Sequence, residues 1–94
     1  MMQSDGQATT LSGSGGDIFG GPARVMGIYI LASATAGSVV VKDGGSGGST
    51  VATFSTPASA TQNVYIDLSN SPLRCSTSAY AALTNVTSAT VIYA

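Results

Sequence analysis

The sequence predicts an all-β fold, a small antiparallel β-sandwich or jelly-roll-like barrel of about seven short strands behind an extended N-terminal arm. Three observations predict it. Runs rich in β-branched and aromatic residues recur at spacings of roughly ten residues, the rhythm of a sandwich or small barrel. Clusters of Gly, Pro, Asn, Asp and Ser separate the runs. No stretch combines helical spacing with good helix formers.

Residues 1–22 make the arm, and residues 23–94 the domain. The arm, MMQSDGQATTLSGSGGDIFGG and the proline after it, is polar and Gly/Ser-rich, with too little apolar surface to offset its ordering entropy. Ile18 and Phe19 are its apolar pair. The arm is either a frayed terminus or, through Ile18 and Phe19, docked on an adjacent subunit.

The first strand of the domain is RVMGIYILASAT, residues 24–35. Both of its alternating sets are apolar: Val25, Tyr29 and Leu31 on one face, Met26, Ile28 and Ile30 on the other. A strand covered on one side alternates apolar with polar, so this one is central in a two-layer fold or covered outside by a partner. Gly27 and the β-branched residues argue against a helix. A hairpin follows, GSVVVK (37–42) and STVATFS (49–55) around a Gly-rich tip that opens with Asp43-Gly44. The tip is no phosphate cradle, because no Gly-Lys-Ser/Thr follows it and a strand, not a helix, comes next. Thr56-Pro57 breaks the ladder. QNVYIDL (62–68) points Val64, Ile66 and Leu68 inward and Tyr65 and Asp67 outward. A turn around Pro72 leads to short strands over residues 73–77, 79–83 and 87–93, with Asn85 at the bend between the last two.

A folded unit of about seventy residues is marginal alone and usually needs disulfides, a metal or oligomerisation. Cys75 is the only cysteine, so no disulfide forms within one chain. With no histidine and with Asp5, Asp17, Asp43 and Asp67 scattered, neither a metal site nor a cofactor is expected. Oligomerisation or docking remains. Arg24, Lys42 and Arg74 lie far apart in sequence, which argues against nucleic acid. No apolar run approaches the ~20 residues that span a bilayer, and the N-terminus lacks signal-peptide character. A lone thiol fits synthesis in a reducing cytoplasm.

Catalysis is not expected. A Ser or Cys nucleophile needs a base near neutrality, and there is no histidine to serve. Cys75 beside Arg74 reads as a buried structural thiol, Asp43 as a turn residue, and Asp67 as an outward carboxylate. Asn85-Val86-Thr87 matches a glycosylation sequon by chance. Of the four tyrosines, Tyr29, Tyr65, Tyr80 and Tyr93, the outward Tyr65 is the best interface candidate. The partner-binding set is Ile18, Phe19, Tyr29 and Tyr65.

The stretches ATAGSVVVKDGGSGGST, FSTPASATQNVYIDL and YAALTNVTSATVIYA resemble small virion structural proteins of tailed bacteriophages, particularly those of marine or freshwater bacteria. The resemblance covers about residues 34–94 and consists of turns and strands, with no catalytic motif. It implies a β-sandwich component present in many copies. The expected role is decorating or cementing the capsid exterior by binding the major capsid protein and copies of itself, a trimer among the options. The alternative is a tail-fibre or head-fibre module that binds a host-surface glycan.

Overall fold

The structure is a computed structural model that describes residues 7–58, 63–68 and 70–94. Among the described residues nine strands run in chain order: β1 (Gln7–Ser12), β2 (Gly15–Phe19), β3 (Ala23–Ala32), β4 (Gly37–Asp43), β5 (Ser49–Thr56), β6 (Asn63–Asp67), β7 (Leu73–Cys75), β8 (Ala79–Thr84) and β9 (Val86–Tyr93). They form two antiparallel sheets. The first has the order β1-β9-β3-β6, with β7 also paired to β3, and the second β2-β8-β4-β5. β6 and β7 take successive stretches of the same β3 edge, residues 27–31 and 23–25. Consecutive strands lie in opposite sheets except for β4 with β5 and β6 with β7. Asn85 makes the last corner with a φ of 52°, the left-handed conformation that Asn tolerates better than most residues.

The core lies between the sheets. Val25, Ile28, Ile30, Ala89 and Val91 of the first sheet and Val39, Val41, Ala79 and Ala81 of the second are fully buried. Small alanines opposite branched residues fill this thin space. The two faces of β3 are not the simple alternation expected from its sequence. Val25 pairs with Tyr93 while Gly27 pairs with Ile92, so β3 carries one extra residue, a bulge at Met26. The bulge moves Val25 onto the same inner face as Ile28 and Ile30, leaving Tyr29 outside. β3 is central in its sheet, between β9 on one side and β6 and β7 on the other.

Among the described residues there are nine strands, not seven, because residues 7–19 of the expected arm belong to the sheets. β1 pairs with β9 over six residues from Gln7↔Tyr93 to Ser12↔Ser88, and β2 pairs with β8. The polar composition is no obstacle at an edge, where one apolar residue per turn of the pleat and a neighbour's free backbone groups suffice. Leu11 packs on the core and Ile18 is 3 % exposed within it. Ile18 is therefore not available to a partner. Residues 1–6 lie outside the described residues, as does Gln62 of the expected 62–68 strand. Gly15 sets the corner between β1 and β2. Its φ is +102°, and a Cβ there would meet the Ala81 carbonyl oxygen at 2.0 Å, so only glycine fits.

The opposite end is tied by Asp43. Its Oδ1 accepts from the backbone N–H of Thr77 (2.9 Å) and Ser78 (3.3 Å), and its Oδ2 from the N–H and hydroxyl of Ser76 (3.1 Å each). This explains why β7 stops at Cys75, two residues short of the expected strand: the next backbone N–H groups turn toward the carboxylate. The Thr77 N–H foremost, with those of Ser76 and Ser78 and the Ser76 hydroxyl, holds the Asp43 carboxyl below its ordinary value against an opposing effect of desolvation. A depressed carboxylate contributes stability that is complete above its unfolded pKa of about 3.9 and disappears as pH falls through the folded value. Asp43→Asn mimics the protonated side chain. Its Tm is expected below wild type at pH 7, with the gap narrowing as pH falls below the unfolded value and through the folded one. Thermal melts at pH 7, 5 and 3 check this, and a gap constant over that range contradicts it.

Candidate partner-binding face

Among the described residues no buried side-chain nitrogen or oxygen lacks a hydrogen-bond partner. Cys75 is buried, and desolvation first, then the Asp43 carboxylate, pushes its thiol pKa up, opposite to the shift that activates a nucleophile. No three metal-ligating side chains come together among the described residues.

The outer face of the first sheet is built in cross-strand rows. Strand pairing sets Ser12, Ser88, Leu31 and Asn63 in one row, and Thr10, Thr90, Tyr29 and Tyr65 in the next. Ala8, Ile92, Gly27 and Asp67 follow. Beyond the bulge, Arg24 lies between Ala94, with which it exchanges two backbone hydrogen bonds of 2.9 Å, and Arg74. The two tyrosine rings meet at 6.1 Å between centroids and 46° between planes, a tilted aromatic pair. They are 47 % and 52 % exposed. Gly27 makes room for them. A Cβ at that position would come within 2.8 Å of the Tyr65 hydroxyl, so the tyrosine lies down over bare backbone instead of standing in solvent. Thr10 and Thr90 are joined Oγ1 to Oγ1 at 3.0 Å. The resulting surface is broad, amphipathic and poor in charge, with aromatics at its centre, as in protein interfaces.

The expected partner-binding residues part company here. Tyr29 and Tyr65 come together on this face. Phe19, 42 % exposed, belongs to the second sheet and stacks at 5.6 Å on Tyr93, away from the tyrosine pair. Ile18 is core. Tyr93 is also buried, its hydroxyl donating to Gln7 Oε1 at 3.3 Å. Tyr80 is half-buried on the outer face of the second sheet, in a row with Asp17 and Lys42. Lys42 is engaged locally, donating through Nζ to the Ser46 carbonyl at 3.0 Å.

Arg24 and Arg74 were separated in sequence, yet they are direct partners in the β3–β7 register. With Pro22, Ala23, Pro72, Cys75 and Ala94 they line a cleft of about 630 Å³. Nothing local in the sequence pointed to it, since the contact depends on β7 returning to β3. No protein-family model matches the chain, and no curated protein or solved structure is found similar to it.

Proposed function

We propose that the chain is a structural protein of a tailed-phage virion, made in the host cytoplasm, which decorates or cements the capsid exterior. Its mechanism is burial of surface against the major capsid protein and copies of itself, with no catalysis. The observation that carries the reading is the outer face of the first sheet, where the Tyr29–Tyr65 pair sits exposed among Thr10, Thr90, Leu31 and Ile92. A small fold gains from having such a face covered. Repetition over a shell adds avidity, so that each copy can be held weakly and the set remains bound.

Two further points support it. Residues 34–94 resemble small virion proteins of tailed phages in their order of strands and turns. The strand order is also that of an eight-stranded jelly roll whose sixth position, after β5, is shared by β6 and β7, an architecture used by viral capsid and lectin domains. That is an analogy of fold, and function rests on the face.

The face favours one second reading, a fibre module that binds a host-surface glycan. Tyr29 and Tyr65 share it with Asn63 and Asp67, the aromatic and amide or carboxylate groups a sugar uses. Quantitative mass spectrometry of purified particles separates the two. Decoration predicts a ratio to the major capsid protein near one or a simple fraction such as about one third. A few tens of copies or fewer move the chain to a fibre, and absence from the particle overturns both readings.

A further inference from the structure

We propose that Arg24 and Arg74 form a two-pronged site for a carboxylate of a partner polypeptide, an Asp or Glu side chain on a docked segment. This deepens the preceding reading and rests on it, since it supposes that the face meets protein. In register on adjacent antiparallel strands, the two Cβ atoms stand about 4.5–5.5 Å apart and both side chains are exposed on the outer face. Like charges directly opposite destabilise a sheet. Among the described residues neither guanidinium has an ion-pair or side-chain hydrogen-bond partner to offset that repulsion. They are the chain's only arginines. A local rule broken without internal compensation is characteristic of a functional position. A carboxylate between two guanidinium forks converts the repulsion into two charge-assisted contacts.

The cleft decides what carries the carboxylate. The cleft is open to solvent and wider than a lone ion requires. Its walls, apart from the arginines, are Pro22, Ala23, Pro72, Cys75 and Ala94. These suit the stem and backbone of a peptide. An acidic sugar would want an aromatic platform, and among the described residues no aromatic ring lines the cleft. The site is continuous with the tyrosine face through β3, so a segment seated on Tyr29 and Tyr65 reaches the arginines along one strand.

The test is an NMR titration of the full isotope-labelled chain with acetyl-Gly-Glu-Glu-Gly-amide, following the side-chain Nε–Hε resonances of both arginines. A form extended by Gly-Ser beyond Ala94 is run in parallel, which moves any terminal carboxylate away from Arg24; peptide binding in either form supports the site. The expected result is saturable shifts at both arginines that weaken with salt, no response to the uncharged control acetyl-Gly-Gln-Gln-Gly-amide, and affinity lowered about tenfold by Arg24→Gln or Arg74→Gln. Because each substitution relieves repulsion, both variants are expected to melt no lower than wild type at low salt, so lost binding is not lost folding. No localised shift up to about 10 mM peptide, or equal shifts at Lys42, overturns the proposal. So does glucuronate binding where the peptide does not, or inorganic phosphate binding as tightly as the peptide. None of these results bears on copy number in the particle, so this inference and the virion reading fail separately.

Discussion

Ile18→Ala is expected to destabilise the isolated chain by about 2–4 kcal/mol, a large share of the roughly 5–14 kcal/mol available to a chain of this length. The side chain is 3 % exposed in the core, where β2 bulges between Asp17 and Phe19 to turn it inward. Truncation leaves a cavity that the β1–β2 edge cannot fill without losing its register. Thr9 Oγ1 donates to the Ile18 carbonyl at 3.2 Å, tying β1 to β2 across the gap between the sheets, so damage at Ile18 reaches both edge strands. Urea denaturation of the isolated chain checks this, with a lower midpoint at an unchanged slope as the expected result. An unchanged midpoint would mean that residues 7–19 hang free and that Ile18 serves a partner.

The second large effect is on association. Tyr29→Ala and Tyr65→Ala are each expected to weaken rebinding to particles stripped of the chain by about 30-fold, the loss of a central aromatic anchor. The ring centroids are 6.1 Å apart, so the double variant is expected to lose less than the product of the single effects. The fold should survive. Both residues are about half exposed, and the cost to stability is the tilted ring contact and the cover over Gly27, about 1 kcal/mol. Fluorescently labelled variants measured by co-sedimentation with the particles report the affinities. Binding within about threefold of wild type for the double variant would remove this face from the interface.

Local pattern carried much of the fold. Val64 and Ile66 pack on the core while Tyr65 and Asp67 are exposed, as period-two alternation over a short edge strand requires. The hairpin of β4 and β5 and the bend at Asn85 were legible for the same reason, since turn chemistry is written in adjacent residues. The rest depends on partners distant in sequence. β1 and β2 look unstructured alone because an edge strand borrows its order from the strand beside it, here β9 and β8. The bulge at Met26 is invisible in an all-apolar run, where either phase looks buried. Asp43 passes for a turn residue until residues 76–78 arrive to donate to it.

The same distinction applies to the face. Tyr65 could be placed outward from its own strand, but its contact with Tyr29 required the β3–β6 register, and Arg24 with Arg74 required β7. A charge-poor sequence does not show where its few charges meet. Here the two arginines meet at the end of the face that carries the tyrosines.

The most direct test of that face is oxidative footprinting of tyrosine side chains, comparing the free chain with the chain on intact particles. Tyr29 and Tyr65 should be modified readily when free and protected by at least about tenfold on the particle, with Tyr80 of the second sheet changing little and serving as the control. Equal modification of Tyr29 and Tyr65 in both states would contradict the account and move the interface elsewhere on the molecule.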